Sequence, residues 1–486
     1  MKKNILVIFS LIFLTQAISL VGFLHPSIRQ IAFIVICLGA LILTIKDLRW
    51  GIFILFAELF IGSKGYLFYF SFGNHPISIR IALWGIVMAV WAVKAIKNYE
   101  LKITNYRGRL FFCFFAFLFF LILGVANAFF HHNSLNNIYS DFNNWLYLLT
   151  IFPLLSAIKS REDWQRIWQI FLASTLWLGF ETLVLFFIFS HDLPQTASVL
   201  YSWIRNTLVG EITFVQYGFF RIFIQSQIFN LLGFFIILPM LIEKQKDRKH
   251  FIIHYSLFII QFAVVLVSMS RSFWLGLGGG LLFLGFYFLA KKEWRKFFKL
   301  ILVFFSASFL SLILILGILK FPYPAPLSGA SLELFKNRAL QISGESAVSS
   351  RWNLLPVIWS EIKQAPILGH GWGKTITYKS LDPRVLEKNP SGEYTTFAFE
   401  WGWLDFALKI GLLGVLAYFI FLAKIFLAWL KNQADDFSGQ LALGLAVSLL
   451  VLGIVHFFTP YLGHPLGIGF IVLLAGYLIG LKNATN

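Results

Sequence analysis

Apolar runs of about twenty residues, the length one helix needs to cross a bilayer core, recur along this whole chain. Hydrocarbon offers no partners to backbone N–H and C=O groups, so segments of this kind fold as helices that bond internally. Runs near 4–24, 28–45, 50–63, 78–97, 110–130, 143–158, 167–190, 222–242, 251–269, 273–290, 299–320, 400–430, 439–459 and 465–482 predict an all-α polytopic membrane protein. They give about fourteen transmembrane helices, or twelve to fourteen if short runs do not cross; the run 50–63 is the shortest. With 57 Phe and 16 Trp, the chain holds more large aromatics than a soluble core of its size would use. Lipid-facing helices can expose them, with Trp and Tyr favoured near the headgroups. The start, MKKNILVIFSLIFL, resembles a signal peptide, but more spans follow and no small-residue cleavage site stands out, so a retained first helix is expected.

Charge gives the threading. The net charge is +18, yet Lys2/Lys3, Lys46/Arg49, Lys94 to Arg109, Lys159 to Arg166, Lys244 to Lys249, Lys291 to Lys299 and Lys431 fall on every second connection. That distribution points to anionic lipid headgroups as partner and away from nucleic acid. By the positive-inside rule the basic side and both termini are cytoplasmic. Segments 131–142, 191–221, the turn Ser268 to Ser272 and one large loop, 321–399, then face the periplasm or outside. Cys37 and Cys113 both lie in apolar runs, which suggests neither a disulfide framework nor a zinc site.

The loop and the helix after it hold most of the polar chemistry, from Glu345 to Gly414. Pro322, Pro324, Pro326, Pro366, Gly369, Gly371, Gly373, Pro383 and Pro390 mark turns. Between them, 349–364 is predicted as a short helix lying on the membrane, with Arg351, Leu355, Ile358 and Ile362 on one stripe and Pro356 kinking or starting it.

Three arginines share the outer side: Arg221 in YGFFRIFIQSQ, Arg271 in SMSRSFWLG and Arg351 in SSRWN. A guanidinium keeps its charge when partly desolvated and presents a fixed fork of donors, which suits it to phosphate at a membrane surface; it also suits snorkelling to headgroups or pairing with an acid. Glu400, in FEWGWLD, is placed to take a proton from a hydroxyl or to satisfy free N–H groups at a helix start. Asp405 and Lys409, four apart, form a helix-surface ion pair or line a polar cavity. The run GHGWGKT is not a phosphate loop, because that pattern needs glycine where Leu368 stands. His370 within it is a turn histidine or an acid/base and substrate-binding group. Gly276, Gly278, Gly279 and Gly280 permit close helix packing. Glu58 and Glu181 lie inside spans, which marks a functional site or a buried partner.

The order of these pieces, Ser270-Arg271 opening a span, Ser350-Arg351 heading a loop helix, PILGHGWGK, then a helix ending GLLG at Gly411 to Gly414, resembles the O-antigen ligase and polymerase superfamily of bacterial envelope glycosyltransferases. The likeness covers roughly 215–420, and it divides one membrane domain into N-terminal helices, 1–214, and a ligase-like region, 215–486, that includes the external loop 321–399. The resemblance implies a glycan carried on a polyprenyl pyrophosphate such as undecaprenyl pyrophosphate. It also implies metal-independent transfer to an acceptor sugar, either a lipid A-core-like molecule (ligase) or another lipid-linked repeat (polymerase), without cofactor, at the outer face of the cytoplasmic (inner) membrane. By motif, Arg221 and Arg271 would bind pyrophosphate, and Arg351 would contact pyrophosphate or glycan. Where ligases of the family usually carry a His-Asn pair ahead of GLLG, this chain has Glu400 and Trp401. Either Glu400 acts as base or the acceptor differs. The alternative from another class is a transporter or flippase, with Glu58, Glu181 and Arg80 lining a path.

Overall fold

In the computed structural model all residues are described except 1, 73–74, 98–107, 217–218, 244–247, 328–345, 432–436 and 485–486. Parts of three basic connections and of the long loop therefore lie outside the described residues. The apolar runs fold as helices: α1 (Lys2–Leu24), α2 (Pro26–Lys46), α3 (Leu48–Ile61), α4 (Ile79–Lys97), α5 (Arg109–Phe130), α6 (Leu135–Phe142), α7 (Ile151–Ala157), α8 (Arg161–Ser190), α9 (Pro194–Asn206), α10 (Ile228–Ile242), α11 (Arg248–Val267), α12 (Arg271–Ala290) and α13 (Trp294–Leu319). The loop then contributes α14 (Ser346–Gln364) and α15 (Pro383–Lys388), and the chain continues through α16 (Gly402–Lys431), α17 (Phe437–Val455) and α18 (Pro465–Ala484). Among the described residues, nine helices are long and apolar enough to cross a membrane, and Phe251–Val267, Gly439–Val455 and Pro465–Gly480 are shorter apolar helices. The chain is a multi-pass membrane protein.

Two expected runs differ from single helices. The run 143–158 is a 3-10 stretch, Asn143–Thr150, followed by α7. The run 222–242 begins in a strand, because FFRIFI pairs with GEITFVQ as the antiparallel hairpin β3 (Gly210–Gln216) and β4 (Phe219–Ile224). Two smaller hairpins flank the helices: β1 (Tyr69–Phe72) with β2 (His75–Ser78), and β5 (Ile376–Lys379) with β6 (Glu393–Thr396).

Helix α10 forms the axis, buried along its whole length. On α12, a side chain at Gly276 or Gly280 would press on Val451 and Val455 or on Phe235, so these glycines set the packing distance as expected. On the periphery, α1, α2 and α13 present Leu6, Leu14, Ile31, Val35, Leu302, Phe305 and Phe309 outward, a surface stable only against lipid.

The polar connections gather at two ends. At one, Arg49 meets Asp163 at 3.4 Å, and Lys296 lies 3.3 Å from Glu243 and 3.2 Å from Glu293. At the other, the long loop ties down the hairpins and turns: Leu327 N–H donates to Ser190 (3.0 Å), and the Asn133 amide donates to the carbonyls of His370 (3.0 Å) and Trp372 (2.9 Å).

The GLLG run, expected as a helix end, is a break inside α16. Gly411 has φ 68° and ψ 176°, a region open in practice only to glycine. The break strands carbonyls before it and N–H groups after it. The loop seals both sets: His370 and Gly371 N–H donate to Leu408 (2.7 Å) and Lys409 (2.9 Å), and Leu412 and Leu413 N–H donate to Pro366 (2.8 Å) and Ile367 (3.3 Å). We expect Gly411→Ala to cost about 3 kcal/mol or more, from backbone strain and collision with the Ile367 carbonyl. Thermal unfolding in detergent checks this, with Gly278→Ala as a near-neutral control because a side chain there meets nothing within 4 Å.

Candidate active site

The turn after α11 is tight: Ser268 N–H closes on Val264 (2.9 Å) and Met269 takes a positive φ of 48°. It starts α12 with Arg271 in the first position. The hydroxyls of Ser270 and Ser272 lie 3.0 Å apart, and Ser272 reaches Thr459 at 2.9 Å. Hairpin β3–β4 carries Arg221 to the same turn, where its Nε donates to the Ser268 carbonyl at 2.9 Å and its guanidinium lies over Phe223. Arg221 and Arg271 are thus held by one turn, both half-buried.

Arg351 belongs to α14. The buried stripe of that helix is Leu354, Ile358 and Ile362, which pack with Phe399, Ala407 and Leu408. Leu354 takes the place of the expected Leu355, because positions three and four residues apart share one helix face, and Pro356 lies inside the helix. Arg351 remains on that stripe and forms an ion pair with Glu400, the two side chains 35% and 55% exposed. Trp401 anchors the pair by donating from Nε1 to the Arg351 carbonyl at 2.9 Å. The Trp401 ring also packs on Phe458, beside Thr459. Through Trp401 on Phe458 and Ser272 on Thr459, the Arg351–Glu400 pair is linked to the turn that carries Arg221 and Arg271.

Below them, the GHGWGK segment is a clamp. Trp372 is buried against α5 and donates from Nε1 to Leu121 (3.0 Å). Gly373 N–H donates to Asp141 at 2.9 Å, and Lys374 pairs with Glu361 at 2.9 Å. The Asp405–Lys409 pair forms as the spacing indicates (2.6 Å), but Lys409 is 1% exposed and also contacts Asp141 at 2.7 Å, making a buried triple. Asp141 escaped the sequence reading because it lies 268 residues from its partner.

His370 is part of this clamp. Its Nε2 lies 2.9 Å from the Glu361 carbonyl, and its ring packs on His131. Burial, then the nearby Lys374 charge and His131, hold its imidazole below the usual range, so near pH 7 it is neutral. That geometry favours the turn-histidine role. Glu58 is bonded to Arg80, and Glu181 is buried within α8. Among the described residues no group of three His, Cys, Asp or Glu is placed to hold a metal ion.

Residues 256–419 match the family described as O-Antigen ligase. No curated protein matches the chain.

Because the unfolded chain binds a proton at His370 more readily than the folded one, His370 adds stability above its ordinary pKa of 6.5, and that stability is lost as pH falls below it. We expect wild type to lose more melting temperature than His370→Gln between pH 7 and pH 5, by about a few degrees. Parallel curves for the two proteins would contradict this.

Proposed function

We propose, from the match of residues 256–419 to the O-antigen ligase family, that this protein is a glycosyltransferase of the O-antigen ligase and polymerase superfamily that moves a glycan from a polyprenyl pyrophosphate to an acceptor hydroxyl. The observation that carries the reading is the gathering of Arg221, Arg271, Arg351 and Glu400, drawn from four distant stretches of sequence, at one end of a membrane protein. The opposite end carries paired basic connections, which by the positive-inside rule supports an arginine end that faces outward from the cytoplasmic membrane of a bacterium.

In this reaction the acceptor oxygen attacks the anomeric carbon, the bond from that carbon to pyrophosphate breaks, and negative charge grows on the departing oxygen. Arg221 and Arg271 hold the pyrophosphate and stabilise that charge in the transition state, which does the electrostatic work without a metal ion. Glu400 takes the acceptor proton. Glu400 is paired with Arg351; contact of Arg351 with the pyrophosphate or glycan leaves the carboxylate able to accept a proton. The acceptor is a lipid A-core-like sugar in the ligase form of the reaction and another lipid-linked repeat in the polymerase form. The 1–214 helices form the supporting part of one membrane domain and 215–486 the transferase part.

The transporter alternative needs Glu58, Glu181 and Arg80 to line a path, and Glu181 is buried within α8. Glu58 and Arg80 are bonded to each other, with side chains 8% and 4% exposed.

In a deletion strain, wild type should restore surface glycan, whereas Arg271→Ala and Glu400→Gln, at equal membrane levels, should lower transfer about 100-fold or more and accumulate lipid-linked precursor. Long precursor chains identify a ligase and single repeats a polymerase. Full complementation by both variants would refute the site.

A further inference from the structure

One buried network lies outside the transfer chemistry and is explained by none of it. Arg80 at the start of α4 donates from Nε and Nη2 to the two carboxylate oxygens of Glu58 in α3, at 2.8 and 3.0 Å, and from Nη1 to the Ser63 carbonyl at 2.5 Å. A buried ion pair contributes little net stability relative to apolar residues of the same size, so its use has to be sought in what it fixes. Here it fixes the turn that ends α3, where Ser63 is held at a positive φ of 51°.

That turn grips another part of the chain. Ser63 N–H donates to the Ser226 hydroxyl at 2.9 Å, and Ser226 N–H donates back to the Ser63 hydroxyl at 3.2 Å. Ser226 sits in the 3-10 turn Gln225–Gln227, which joins β4, the strand of Arg221, to α10. Next to it, the Gln225 carbonyl accepts from the Tyr461 hydroxyl at 2.9 Å. Tyr461 lies within electrostatic range of Arg221 and packs on Phe273, two residues beyond Arg271. Gln227 closes the base of the hairpin, accepting from Ile224 N–H (3.1 Å) and donating to the Thr182 hydroxyl (2.8 Å).

We infer that Arg80 is a positioning residue: through Ser63 and Ser226 its fork onto Glu58 sets where β4 ends, and so where Arg221 is presented to the pyrophosphate. This rests on Arg221 being a pyrophosphate ligand. Lysine at position 80 keeps the charge opposite Glu58 but cannot bond both carboxylate oxygens and the Ser63 carbonyl in one plane. Ser226→Ala removes the hydroxyl that accepts from Ser63 N–H and keeps the bond that Ser226 N–H donates to Ser63.

The test is a double-mutant cycle on the full-length protein in nanodiscs, with undecaprenyl pyrophosphate as the probe. Arg80→Lys should weaken binding about 10-fold in the wild-type background and less than about 2-fold in the Arg221→Ala background, because its effect passes through Arg221. Ser226→Ala, the milder variant, should show the same pattern and serves if Arg80→Lys does not fold. Unchanged affinity, or an equal loss in both backgrounds, would overturn the inference and leave Arg221 as a ligand. If Arg221→Ala binds the probe as wild type does, or wild type does not bind it, the pyrophosphate reading fails and the positioning role falls with it.

Discussion

Backbone polar groups inside a bilayer have to be paired within the protein, and the break at Gly411 makes that requirement acute in the middle of α16. An unpaired N–H or C=O in hydrocarbon costs several kcal/mol, and the break leaves such groups on both sides of one residue. The segment Pro366–Gly371 satisfies four of them with its own main chain. Backbone can approach backbone this closely only where no side chain intervenes. At Gly369, for instance, an added Cβ would stand 2.6 Å from the Gly411 nitrogen. The glycines of GHGWG are therefore required by the repair of a helix, not by phosphate.

Once the loop is threaded there, the geometry on either side of it follows. Upstream, α14 is drawn onto the first turns of α16, and Arg351 arrives at Glu400. Downstream, Trp372 and Gly373 are pulled onto α5 and Asp141. The Asp141–Lys409–Asp405 triple locks the same crossing from below. Charges buried this deeply are costly to desolvate, and removal of one partner leaves the others uncompensated at about 3–5 kcal/mol. Such a triple adds less to net stability than to register, since only one alignment of α6 and α16 brings the three together.

Much of this was legible in the sequence, for physical reasons that differ from element to element. The membrane helices announce themselves because hydrocarbon thickness dictates run length, and the arginines stand out because charge at the edge of an apolar run needs a reason. Asp405 and Lys409 were readable as a pair because four residues is one helical turn. Partners supplied by remote segments were not: Asp141 for Lys409, Arg80 for Glu58 and Arg351 for Glu400 are joined only by the fold. GLLG looks like a helix end because a break at a positive-φ glycine and a C-terminal glycine share one signature. Arg221 was assigned to the edge of a helical span because FFRIFI is apolar at nearly every position, and only its pairing with GEITFVQ makes it a strand.

The claim on which the rest turns is that the loop-built end of the molecule holds a pyrophosphate between Arg221, Arg271 and Arg351. Cryo-electron microscopy of the protein in nanodiscs with undecaprenyl pyrophosphate tests it most directly. Density for the two phosphates against Arg221 and Arg271, with Arg351 moved off Glu400, is the expected result. Density at the opposite, Arg49–Asp163 end, or an Arg351–Glu400 pair unchanged beside a headgroup bound elsewhere, would contradict it.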